Sequence, residues 1–191
     1  MNARACKIMI VLALGLLSLG AAESTPDFRE ASWGMSQHQV RKTERIKPAV
    51  QDRESLIYKD ASLANLLTDI VYHFVDGRLV EGQYVITHRH WERSGYIEAY
   101  ENLKNLLSQK YGEPVIDEAR WSNHQFEHSE SQWGLAVAMG HLSYTCAWQT
   151  ERTTIGMKLW GDDLEICHEI TYRERGVEIP AKGDKQILKQ L

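Results

Sequence analysis

The chain has 191 residues, with 22 Lys and Arg against 26 Asp and Glu and a formal net charge of -4 at neutral pH. This length suits one ordinary domain with a sizeable core. The acidic balance leaves no basic stripe of the kind that binds nucleic acid or anionic lipid, so we exclude both as partners.

The first segment has the pattern of a secretory signal. Two basic residues precede an apolar stretch from Ile8 to Leu19, and small residues follow at 20–22. The stretch is shorter than the roughly 20 residues that a membrane-spanning helix needs. We therefore predict cleavage of residues 1–22, a mature chain that begins near Glu23, a periplasmic or secreted location, and no stable membrane insertion afterwards.

The first helix is predicted from about Ser36 to Arg45. Ser36 can cap its start, and Gln39, three residues later, can complete a capping box. Met35 can pack on Val40 as a hydrophobic staple.

Strand chemistry follows between residues 55 and 88. The runs at 56–58, 69–75 and 79–87 are rich in β-branched and aromatic residues, and Asp76-Gly77 between the last two is a strong hairpin signal. Alternation is poor in these runs, so we expect both faces of these strands to be partly covered.

The second helix is predicted from about Gly95 to Tyr111, because apolar residues recur three and four positions apart. Ser94 can cap its start. Gly112 and Pro114 end it, since glycine adopts the left-handed turn and proline cannot continue a helix.

The last third of the chain has the alternation of strands. We interpret residues 118–128 as a strand or irregular segment, and the runs from Leu142 onward as three strands with one apolar face. Gly161-Asp162 suits a two-residue turn, which would set Leu159 opposite Leu164.

This pattern places the two cysteines of the predicted mature chain on different faces. Cys146 falls among apolar neighbours and Cys167 on the polar face. Because a disulfide needs close, converging side chains, we predict none. His168 lies on the apolar face, where we interpret it as a core histidine.

The order of elements predicts an α+β domain over residues 23–173, with antiparallel strands and two main helices packed on one face. The halves 30–90 and 91–173 each contain a helix followed by strands, which raises the alternative that they are distant repeats. Residues 174–191 are predicted to form a flexible tail.

One part of the chain has a recognisable pattern. The stretch Trp33-Gly34-Met35-Ser36, with the strands that hold Tyr72 to Leu79, resembles the helix-then-sheet unit of the SmpA/OmlA-type envelope lipoproteins. It is also similar to the repeat of the secreted β-lactamase inhibitor proteins. The resemblance covers residues 30–88 and implies a binding or scaffold role in the cell envelope. The chain departs from the lipoprotein pattern because no acylated cysteine follows the leader.

The strand pattern also predicts a contact surface. Trp160 and Lys158 fall on the polar face of their strand, together with Cys167. An exposed tryptophan there would suit contact with a protein or a sugar. We therefore predict a non-enzymatic protein without cofactor that binds an envelope or secreted protein, with cell-wall glycan binding through exposed tryptophans as an alternative.

A second alternative is a metal-assisted hydrolase. His88 and His90 on one strand would direct both imidazoles to one face, with Glu92 nearby as an oxygen ligand. A catalytic zinc needs three protein ligands and an open position, and such histidine pairs are common in strands and loops. The sequence contains no nucleophile elbow, phosphate-binding glycine loop or paired CxxC. We therefore assign no metal site and no catalytic residues.

Overall fold

The computed structural model describes residues 25–177, so the predicted signal at 1–22 and most of the predicted tail at 174–191 lie outside the described residues. Within 25–177, no helix is both long and apolar enough to cross a membrane. In chain order the elements are α1 (Gln37–Thr43), β1 (Val50–Gln51), β2 (Ser55–Leu63), β3 (Leu66–Val75), β4 (Arg78–Ile86), α2 (Ser94–Tyr111), β5 (Ile116–Trp121), α3 (Trp133–Ala138), β6 (Leu142–Gln149), β7 (Thr153–Asp162) and β8 (Glu165–Glu174).

The strands form one antiparallel eight-stranded sheet in the order β1-β2-β3-β4-β8-β7-β6-β5. The predicted α+β class is confirmed. Each half of the chain supplies a helix followed by four neighbouring strands, with α3 inserted between β5 and β6 in the second half. The two halves meet where β4 pairs with β8.

One face of this sheet carries the hydrophobic core. Helices α2 and α3 both contact β6, β7 and β8 on this face, and Val40 of α1 belongs to the same core. Phe28 packs among Tyr72, Tyr84 and Tyr172, with ring centroids 5.0–5.3 Å apart. Aromatic side chains of this size bury large apolar areas, so the core stabilises the whole sheet.

The start of α1 follows the sequence prediction. Ser36 and Gln39 form the capping box, and Val40 is fully buried. The predicted cap of α2 is wrong, because Ser94 is already helical and Arg93 occupies the cap position without a side-chain hydrogen bond. Gly112 ends α2 with a φ of 85°, a conformation that glycine adopts without strain.

Helix α3 is absent from the sequence prediction. Its six residues, WGLAVA, are too few and too uniformly apolar to show a helical period. The helix packs its backbone directly against β7. A Cβ on Gly161 would lie 2.0 Å from the Val137 carbonyl oxygen. Glycine is therefore needed within the strand at this point.

This close approach explains why the predicted turn between β7 and β8 is wrong. Gly161 and Asp162 belong to β7, and the turn lies at Asp163-Leu164. Leu159 consequently pairs with His168 rather than with Leu164. The register moves by an even number of residues, so each side chain stays on its predicted face. Cys146 lies in the core, Cys167 lies on the other face, and both are free, as predicted.

Candidate functional site

The sheet surface opposite the core, which we call the open face, is the main candidate. The hydrophobic core takes its sheet residues from the other face only. Ile57, Asp69, Val71 and Glu81 lie on the open face but are buried, whereas its residues on β6, β7 and β8 keep some solvent exposure. The side chains of the open face include Ile57, Asp69, Val71, His73, Glu81, Gln83, Val85, Thr154, Gly156, Lys158, Trp160, Cys167, Glu169, Thr171 and Arg173.

A row of uncharged residues crosses the middle of the open face. Each strand contributes one residue, and the pairing partners in sheet order are Val50, Ile57, Val71, Gln83, Thr171, Gly156, Ala147 and Ile116. At the usual strand spacing, such a row spans about 34 Å. A Cβ on Gly156 would meet no atom within 4 Å, so the row is open to solvent there.

A charged row borders the uncharged row on one side. Arg173 donates from Nε to Glu81 Oε2 at 2.7 Å, directly across the β4–β8 pair. His73 Nε2 lies 4.0 Å from Glu81 Oε1. Burial lowers the pKa of His73, and the charge of Glu81 acts in the opposite direction. At neutral pH the row therefore presents a neutral imidazole beside a held ion pair.

A second charged row borders the other side. Glu169 pairs across the strands with Val85 and with Lys158, and its Oε2 accepts a hydrogen bond from Gln83 Nε2 at 2.6 Å. Lys158 is exposed. The open face therefore combines an uncharged strip with fixed charges of both signs along its borders.

The sequence-predicted contact residues lie on this face. Lys158 stands in the second charged row, and the half-buried Trp160 pairs directly with Cys167 near the end of the β7–β8 hairpin. Burial raises the pKa of the Cys167 thiol, with neighbouring acids adding to the effect, so the thiol stays protonated at neutral pH.

No known protein family matches this chain. No curated protein and no solved structure matches it either.

The predicted placement of His88 and His90 on a strand is wrong. Strand β4 ends at Ile86, and both residues lie in the loop that leads to α2. Their rings lie 4.8 Å apart, and His90 also packs against Tyr96 at 4.7 Å. Glu92 follows in the same loop. Over residues 25–177, no three His, Cys, Asp or Glu side chains come together as a potential metal site.

The same loop forms a groove that sequence reasoning missed. This tryptophan groove has a volume of about 590 Å³, and its lining includes Arg89, His90, Trp91, Glu92, Arg93, Tyr96, Leu164 and Glu165. Trp91 is fully exposed, at 101% of its reference area. Arg89 in the loop and Glu165, the first residue of β8, form an ion pair of 3.7 Å. A single tryptophan within a polar stretch gives no periodic signal, so its exposure could not be predicted.

Proposed function

We propose that this protein is a non-enzymatic binding module of the periplasm that contacts a partner protein through its open face. The observation that carries the proposal is the open face itself, where an uncharged strip lies between two charged rows outside the hydrophobic core. The periplasmic location depends on the N-terminal sequence pattern. The resemblance of residues 30–88 to envelope binding and scaffold proteins points to the same class of role and stays a prediction.

The open face has the general composition of a protein interface. Ile57 and Val71 of the strip are already buried, so the part available to a partner runs across the sheet from Gln83 to Ile116. An uncharged centre of this kind can be desolvated at low cost, and a polar rim supplies specificity and orientation. The Arg173–Glu81 pair and the Gln83–Glu169 hydrogen bond hold their side chains in place before binding. Less conformational entropy is then lost on association. Trp160 at one end is of the residue type most enriched among dominant contact residues.

The first test blocks the uncharged strip. Gly156→Arg is expected to lower the yield of partner crosslinked in intact cells by at least about tenfold, because a long cationic side chain would occupy the strip. The fold should tolerate it, since Gly156 faces open space. A photoreactive amino acid at Lys158 reports the crosslink, and mass spectrometry identifies the adduct.

Asn105→Arg provides the matched control. It adds the same side chain to an exposed position of α2, on the core side of the sheet. Equal adduct yields from Gly156→Arg, Asn105→Arg and the unchanged chain would reject the open face as the binding surface. Circular dichroism of both variants checks that they remain folded.

The exposure of Trp91 favours a second candidate function, the binding of a neutral glycan in the tryptophan groove. An exposed indole offers a flat apolar surface for the C–H face of a sugar ring. Guanidinium and carboxylate groups of Arg93 and Glu92 supply donors and acceptors for hydroxyl groups. The groove volume falls within the usual range of ligand pockets.

Trp91→Ala tests this candidate with little risk to the fold. Because the side chain is fully exposed, the free energy of unfolding is expected to change by less than about 0.5 kcal/mol. Titration with chitotetraose should quench the tryptophan fluorescence of the unchanged chain and of Trp160→Ala, but not of Trp91→Ala. Quenching that survives Trp91→Ala would place the sugar elsewhere.

A further inference from the structure

Strand β5 forms one free end of the sheet. Of the described strands, β6 alone pairs with it. Its residues from Ile116 to Arg120 are all exposed, and the preceding Val115 is 61% exposed. A free edge of this kind presents backbone donors and acceptors that another strand can use.

The hydrogen-bond pattern shows which residues face outward. Ser122 donates its N–H to the carbonyl oxygen of His141, which lies directly across the β5–β6 ladder. Antiparallel pairs alternate between bonded and non-bonded positions, so even-numbered residues of β5 bond to β6. The N–H and C=O groups of Asp117, Ala119 and Trp121 therefore point away from the sheet.

We propose that β5 pairs antiparallel with β5 of a second copy of this chain, with Ala119 opposite Ala119 at the two-fold axis. The three outward-facing residues then exchange backbone hydrogen bonds with the second copy. Glu118 stands opposite Arg120 of the second copy, and Arg120 opposite its Glu118. These are non-hydrogen-bonded positions, where facing side chains approach most closely. Opposite charges therefore meet twice.

Other registers are less favourable. A register that is centred on Asp117, with Asp117 opposite Asp117 at the two-fold axis, puts two carboxylates opposite each other. Like charges in directly opposite positions are destabilising. Centring it on Trp121 leaves Glu118 without an opposing residue of β5 and places Arg120 opposite Ser122. Centring it on Glu118 or Arg120 sets like charges face to face. Among these registers, the sequence of this edge favours the one centred on Ala119.

Charge reversal tests the proposal on the full chain, expressed with its own N-terminal segment. Sedimentation velocity over a concentration series should show a dimer for the unchanged chain. Glu118→Arg and Arg120→Glu alone should each raise the dimer dissociation constant by at least about tenfold, because each creates two like-charge contacts. An equimolar mixture of the two variants should form a heterodimer, since opposite charges then face each other again. Glu151→Arg, in the β6–β7 turn, is the matched control and should dimerise like the unchanged chain.

Three results would overturn this pairing. The first is that the unchanged chain stays monomeric at every concentration up to about 1 mM, a range in which even weak association would be detected. The second is a dimer that Glu118→Arg leaves intact. The third is that the two single variants stay monomeric when they are mixed. Restoration in the mixture supports the pairing, because general damage to β5 would not be repaired by a second damaged copy.

Discussion

Gly161→Ala is expected to lower the free energy of unfolding by about 3 kcal/mol or more, the upper range for overpacking a core. A Cβ at this position would lie 2.0 Å from the Val137 carbonyl oxygen and 2.7 Å from the Ala138 Cα. These atoms belong to the backbone at the end of α3, so no rotation of a side chain can make room. The helix and the strand would have to separate.

Gly156→Ala, in the same strand, is the matched control. Its Cβ would enter open space, and glycine is a poor strand residue, so stability should stay equal or rise by up to about 1 kcal/mol. Urea unfolding followed by near-ultraviolet circular dichroism measures both variants. Equal stability of the two would mean that α3 does not press on β7 as the structure shows.

The second large expected effect is a loss of stability at acidic pH. Lowering the pH from 7 to 5 is expected to reduce the free energy of unfolding by about 2 kcal/mol through His168 alone. Burial lowers the pKa of His168 to about 4, with the nearby charge of His90 adding to the effect. In the unfolded chain the imidazole binds a proton near pH 6.5. The neutral side chain thus contributes stability that is complete above pH 6.5 and is lost as the pH falls towards 4.

His168→Leu separates this contribution from others. The ring of His168 lies 5.6 Å from that of Tyr100, and within residues 25–177 neither ring nitrogen has a hydrogen-bond partner. Leucine should therefore be accepted at pH 7, and most of the fall between pH 7 and 5 should disappear. We attribute the remaining fall in the free energy of unfolding to His73 and His90, because burial lowers the pKa of both. An unchanged pH slope in the variant would contradict the assignment to His168.

Local signals in the sequence were sufficient for much of the fold. The capping box at Ser36 and the turn at Asp76-Gly77 each depend on a few neighbouring residues, and both occur as predicted. The β7–β8 turn was misplaced because the position of Gly161 depends on α3, a helix that local periodicity did not show. The sequence alone does not distinguish a glycine that allows close approach of a neighbouring backbone from a glycine that forms a turn.

The candidate site likewise contains some features that local sequence patterns predict and others that they do not. Alternation alone placed Lys158 and Trp160 on the face opposite the core. The uncharged row could not be predicted, since it depends on the order of all eight strands and on the joining of β4 to β8. The exposure of Trp91 depends on how one loop leaves the sheet, and composition does not determine that path.

The pairing of β4 with β8 in the middle of the sheet has a consequence for the rate of folding. Every other strand pair joins neighbours in the chain, whereas the contact between Glu81 and Arg173 closes a separation of 92 residues. Loop closure over that distance is slow compared with hairpin formation. Each half-sheet can form early, but the contact between the two halves forms only when β8, the last of the strands described within residues 25–177, docks against β4. Until then both halves expose inner edges, so the period of greatest risk of aggregation ends only when the last strand docks.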